Sequence, residues 1–284
     1  MIASGRIISE PLWRIEILVY KHSLASARII AFLGCLVLLP CGASDWDEDA
    51  PLNSSPKQNG SGIFLRGKVE HSDRLAPLGE NLQAGARFDP AAIPAAKYGS
   101  SWFEIPDWFA GTFQSDQSVI DFIKDYATGR SVRPNKVVSS FAQELHGYQK
   151  DSKGGIWHYY VQSGTSRSEQ AGQLTINNID WYGPELVAKD KVVMRVQATS
   201  FVVDKNTGVI VDSFRREDIK TYSPAANGAL NVSYTSKSFD SHGQARDLQD
   251  GHSVYRLLSS FQAIDKEGNH DYKQMFADFL NSAK

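Results

Sequence analysis

Apolar and polar side chains alternate over most of the chain downstream of residue 136. Val192, Met194, Val196, Ala198 and Val202 are interleaved with Arg195, Gln197 and Thr199. This period of two predicts a strand with one buried and one polar face. The run closes at Asp204-Lys205-Asn206-Thr207-Gly208, where the Asp can accept nearby backbone N–H groups and the Gly supplies a positive φ. Val209 to Tyr222 follows as a strand, then a turn at Pro224-Ala225-Ala226-Asn227-Gly228. Leu230, Val232 and Tyr234 next alternate with Asn231, Ser233 and Thr235, and Asp240-Ser241-His242-Gly243 turns again. Upstream, Lys136 to Gln149 passes through Lys153-Gly154-Gly155 into Ile156 to Ser163, a predicted hairpin. Val254 to Ile264 fits both helical and strand spacing, and the succession of short turns before it favours strand. Only the C-terminus changes period. Tyr272, Met275, Phe276, Phe279 and Leu280 form one apolar helical stripe.

Eight or nine sequential antiparallel strands and a C-terminal helix predict a mainly β protein. An up-and-down β-barrel removes exposed sheet edges, and a strongly curved open sheet wrapped on the helix, or a two-sheet sandwich, are the alternatives. The largely polar outer faces argue against a membrane barrel, which needs lipid-facing apolar residues and aromatic girdles. Three regions are expected: a leader over 1–43, a flexible tether and irregular lead-in over 44–100, and the β domain with its helix over 101–284. The tether is read from the acidic run Asp45, Asp47, Glu48, Asp49 and the polar stretch Asn53 to Gly62, which cannot bury enough apolar area to offset its ordering entropy. Ile63-Phe64-Leu65 is a candidate short strand.

Charge and cysteine content narrow the function. The formal net charge is −2 and no Lys/Arg block exceeds Arg215-Arg216, so the basic stripe that a nucleic-acid partner requires is missing. The two cysteines, Cys35 and Cys41, both lie in the leader, which leaves the β domain without a disulfide. With 42% hydrophobic residues, the roughly 240 residues after the leader can sustain a core on burial alone.

The leader itself has Arg28 ahead of Ile29-Ile30-Ala31-Phe32-Leu33-Gly34 and Leu36-Val37-Leu38-Leu39, then the small residues Cys41-Gly42-Ala43. A charged start, an apolar centre of about 7–15 residues and a small-residue end describe a secretory signal. Residues 1–27 are excluded from fold reasoning. Leu38-Leu39-Pro40-Cys41 resembles the lipobox of bacterial lipoprotein signals, with Leu38 and Cys41 matching and Pro40 standing where that family prefers Gly, Ala or Ser. Phe32-Leu33-Gly34-Cys35 is a second match. The resemblance implies acylation of Cys41 and an anchor in the cell envelope, at the outer membrane or facing the periplasm. Ordinary secretion after Ala43 and a short uncleaved anchor remain open.

Chemistry is sparser. Trp102, Phe103, Trp108, Phe109 and Phe113 crowd one short segment, as a core plug or as the wall of a ligand site. Gly111-Thr112-Phe113 weakly resembles the Gly-x-Trp signature of lipocalins, which implies a barrel that carries a small apolar ligand. Trp102, Trp108, Phe113, His146, Trp157 and Tyr159 are the candidate ligand-binding residues, with Tyr148, Trp157, Tyr159 and His146 on one face. If Lys150 pairs with Gly155, His146 and His158 point to opposite sides, so no metal site is expected. Arg215-Arg216-Glu217-Asp218 reads as a solvated or cross-strand ion-paired segment, and Trp181-Tyr182-Gly183-Pro184 as a strand end closing into a turn. No nucleophile elbow, zinc-protease motif, phosphate-binding Gly loop or Cys nucleophile occurs, so no cofactor is expected and the expectation leans away from an enzyme. The expected function is an exported, membrane-tethered, non-catalytic β protein binding a small apolar or amphiphilic ligand. An envelope protein–protein interaction module is the alternative, and a hydrolase built on converging carboxylates and histidine a third.

Overall fold

The computed structural model describes residues 70–93, 100–161 and 164–282. The leader with Cys41, the tether and Ile63-Phe64-Leu65 lie outside the described residues. The elements in order are β1 (Ser100–Ile105), β2 (Gly111–Asp125), β3 (Ser131–Val132), β4 (Lys136–His146), β5 (Gln149–Lys150), β6 (Ile156–Val161) and β7 (Gly164–Gln170). They continue as β8 (Gln173–Ala188), β9 (Lys191–Asp204), β10 (Ile210–Pro224), β11 (Leu230–Phe239), β12 (Ala245–Ser260), β13 (Lys266–Glu267), β14 (His270–Asp271) and the helix α1 (Tyr272–Ser282). The turns at 204–208, 224–228 and 240–243 fall where the sequence places them. The stretch that fits two periods is strand as far as Ser260.

The mainly β architecture with one C-terminal helix is as expected, and the curved open sheet is the form it takes. A nine-stranded antiparallel sheet runs from β4 and β3, both paired to β2, through β12, β11, β10, β9 and β8 to β7. Among the described residues β4 and β7 do not meet, so the barrel is not closed. The sheet is nevertheless rolled. Four inter-strand steps separate β4 from β10, about 19 Å in a flat sheet, yet Lys220 Nζ on β10 lies 2.7 Å from Glu144 Oε1 on β4. Register shifts within β2–β12, β2–β4 and β8–β9 supply the local twist that bends strands into such a curl. One of them puts an extra residue in β4 at Ser140–Phe141, which also blunts that open edge.

A three-stranded sheet, β1-β6-β5, covers the concave side. One of its faces carries Ile105 and Ile156 into a cluster with Phe109, Phe113, Val192, Met194, Tyr222, Leu230, Val232 and Tyr255. Its other face packs Trp102, Tyr148 and Tyr159 on Tyr272 and Phe276 of α1. The apolar stripe read from the helix sequence is therefore its buried face. Phe109, on the 3-10 turn that joins β1 to β2, is fully buried and stacks on His146 with ring centroids 3.9 Å apart.

The convex side is crossed by residues 70–93. These have the irregular backbone expected of a lead-in, but they belong to the folded body. Leu75 and Leu78 N–H groups donate to the Gly243 and Ser241 carbonyls, and Gly85 and Ala86 exchange bonds with Ile210. Leu82 packs with Ile176, Phe201, Val203 and Ile210.

Phe109 joins both sheets to the roll, so Phe109→Ala is expected to lower stability by about 3–5 kcal/mol, the usual effect of truncating a buried Phe. Urea unfolding will show this as a lower midpoint with an unchanged slope.

Candidate functional site

The aromatic residues singled out from sequence do not converge on one concavity. Trp102, Trp157 and Tyr159 pack under α1, with Trp102–Phe276 at 4.8 Å and Trp157–Phe279 at 5.6 Å between ring centroids. Phe113 and His146 lie on the other side of the small sheet, inside the roll. Trp108 packs beside them, its Nε1–H donating to the Lys189 carbonyl at 2.6 Å.

Two expectations about this region are corrected. His146 does not share a face with Tyr148, Trp157 and Tyr159. Gly147 takes φ = 89° and turns the chain out of the large sheet, so His146 stays opposite Gly111 in β4 while Tyr148 begins the small sheet. Nor do His146 and His158 point apart. Lys150 pairs with Ile156 rather than Gly155, and a one-residue shift moves every side chain to the other face. The two rings lie 5.6 Å apart. Nδ1 of His158 accepts the Gly147 N–H at 3.1 Å. Among the described residues no group of three or more His, Cys, Asp and Glu is placed to hold a metal ion.

A polar cluster that sequence reasoning missed occupies the concave face. Glu144 accepts from Lys220 Nζ (2.7 Å), Tyr222 Oη–H (3.0 Å), His146 Nε2–H (3.2 Å) and Tyr255 Oη–H (3.4 Å). Burial pushes the Glu144 carboxyl up, but Lys220 and the His146 hydrogen bond outweigh it and hold the group well below the carboxylate range. Burial pushes the Lys220 ammonium down, and Glu144 more than reverses that. Burial and the Glu144 charge raise Tyr182 to about 12 and Tyr222 well above 10. Glu144 and Lys220 are thus held as an ion pair, and Tyr182 and Tyr222 as neutral phenols. The cluster ties β4 to β10 across the roll.

The second polar centre lies on the convex face. Glu217 is 0% exposed, so of the two readings of Arg215-Arg216-Glu217-Asp218, solvated or cross-strand ion-paired, the solvated one is corrected, while Glu217 does face Arg195 of the neighbouring β9. Arg216 is also buried, with Nε 2.9 Å from Asp218 Oδ2. Glu217 accepts from the Ser72 N–H (2.8 Å), the Ser72 hydroxyl (2.7 Å) and Gln197 Nε2 (2.9 Å), with His71 Nδ1 and Arg195 Nη1 each 3.5 Å away. Burial works against its charge, but these donors prevail and hold it at about 2.

Above Glu217 opens a shallow cleft of about 440 Å3, lined by Glu70, His71, Ser72, Trp181, Glu185, Arg195 and Gln197. Two register shifts in β8 shape it. Ile179 pairs with Ala198 but Trp181 with Gln197, leaving Asp180 extra; Pro184 pairs with Met194 but Leu186 with Val193, leaving Glu185 extra. Such bulges re-aim side chains and recur beside binding sites. The segment read as a turn, Trp181-Tyr182-Gly183-Pro184, is therefore strand. Pro184 is accommodated because β7 starts at Gly164, opposite Ile179, and the rest of β8 is an edge among the described residues. Gly183 leaves room for the indole: a Cβ there would lie 3.0 Å from Trp181 Cζ2. Gly and Pro within an alternating pattern were the available signal for bulges; nothing local marked Glu217 or His71 as partners.

Comparison with protein-family models, with curated proteins and with solved structures finds no match for this chain.

The buried groups set an acid limit on the fold. His158 titrates well below its ordinary value because burial disfavours its charge, with His146 adding to this and Glu144 opposing it. Its native form is neutral, so its contribution is full above about pH 6.5 and falls as pH drops, by up to about 1.4 kcal/mol per unit. Glu144 and Glu217, both depressed, contribute fully above about pH 4.5 and lose that contribution below it. Urea midpoints from pH 8 to 3 should decline in two stages. His158→Asn, whose Oδ1 can take over the Gly147 hydrogen bond, removes the upper stage and leaves the lower.

Proposed function

We propose that this is an exported, membrane-tethered, non-catalytic binding protein that takes a small amphiphilic ligand in the convex-face cleft. The observation that carries the reading is the pair of β8 bulges beside Trp181 and at Glu185, which line the cleft together with Arg195 and Gln197, the residues that contact the buried Glu217. A rigid sheet with its polar groups fixed beneath an aromatic side chain is a preorganised site. The locked protonation states of Glu144, Lys220 and Tyr222 support a non-catalytic role. The aromatic residues first taken as an apolar ligand wall are engaged with each other and with α1, so the proposed ligand is one with polar groups as well as an apolar face.

Export and tethering rest on Arg28–Cys41 and on the acidic, polar stretch that follows. Acylation implies a mature N-terminus at a modified Cys41, and intact-mass analysis of protein extracted from membranes will read it directly. An unmodified N-terminus at Ser44 refutes the anchor.

The site is tested by thermal unfolding of the purified protein against amines, sugars, carboxylates and detergent-like amphiphiles. A ligand at 100 times its Kd stabilises the native state by about 2.7 kcal/mol. At least one class should raise Tm, and Trp181→Ala should abolish the shift while leaving the unliganded Tm nearly unchanged. No shift with any class refutes the reading.

A further inference from the structure

Resting on the cleft as the binding site, we infer that its ligand is an organic cation: a small ammonium compound with an apolar surface. The donors around the cleft face inward. The Ser72 N–H and hydroxyl and the Gln197 amide all bind Glu217. Arg195 directs Nε to Glu185 at 2.7 Å and Nη2 to the Glu70 carbonyl at 2.9 Å, with Nη1 3.5 Å from Glu217. The rest of the lining is the Trp181 indole, the His71 ring and the acidic residues Glu70 and Glu185.

The charges agree with this. Glu70, Glu185 and Glu217 stand against two cations: Arg195 is engaged by the Glu185 and Glu217 carboxylates and by the Glu70 backbone carbonyl, and Lys237 donates to the Ser72 carbonyl. An anion entering here meets net negative charge, and a sugar meets too few free donors for its acceptor oxygens. An ammonium group meets the negative face of an indole and nearby carboxylates, the combination that recognises quaternary ammonium ligands. The bulge at Glu185 is what brings a carboxylate to the same rim as Trp181, two strand positions beyond Gly183.

The test titrates the full chain with tetramethylammonium chloride and choline chloride by isothermal calorimetry, with sodium chloride, glucose and sodium acetate as controls. Saturable binding of the two ammonium salts is expected, weakened about tenfold or more by Trp181→Ala and by Glu185→Gln, and retained within a few-fold by Trp181→Phe, which keeps an aromatic face. Binding of glucose or acetate that depends on Trp181 overturns the cation assignment and leaves the cleft standing. Ammonium binding indifferent to both Trp181→Ala and Glu185→Gln overturns the assignment to this site. No saturable binding of any of these compounds, by protein with an intact circular dichroism spectrum, overturns the cation. If the wider ligand classes also leave Tm unmoved, the cleft falls with it.

Discussion

The ion pair between Glu144 and Lys220 constrains the molecule more than any other contact. It joins two strands that hydrogen bonding alone would leave about 19 Å apart in a flat sheet, so it can form only if the sheet curls. The curl brings Phe109, Phe113, Tyr222 and Tyr255 into one cluster and gives the small sheet a hollow to cover. Such a buried pair is weak evidence for net stability, because desolvating both charges offsets much of their attraction. Its contribution is geometric. A charge on β4 that lacks its partner on β10 is expensive to bury, so open or differently rolled sheets are disfavoured.

Glu217 imposes a matching constraint on the opposite face of β10. The carboxylates point to opposite sides of the sheet, Glu217 three residues before Lys220 on β10 and Glu144 four strands away on β4, yet each is fixed by donors from distant parts of the chain. Ser72 reaches Glu217 across 145 residues of sequence, and Lys220 reaches Glu144 across 76. Long-range polar contacts of this kind organise the sheet from both sides.

The contrast between what the sequence discloses and what it withholds follows from range. Alternation in Val192–Val202, the turn at Asp204–Gly208 and the stripe in Tyr272–Leu280 are local, and each predicts its element. Curvature is legible only as alternatives, because a barrel and an open roll share the same period of two. The errors in side-chain placement come from single-residue register effects: Ile156 rather than Gly155 opposite Lys150, and the bulges at Asp180 and Glu185. Burial of Glu217 was hidden because the residues that cover it, His71 and Ser72, come from a segment whose composition gives no sign of docking. The candidate aromatic residues were correctly taken as prominent, but prominence in sequence did not separate a packed cluster from a wall.

The docking of residues 70–93 has a consequence for the cleft. The Glu70 carbonyl holds Arg195, and Ser72 holds Glu217, so residues 70–72 are at once a docked segment and a wall of the cleft. A change in how residues 70–72 dock would therefore alter the cleft and the surroundings of Glu217 together.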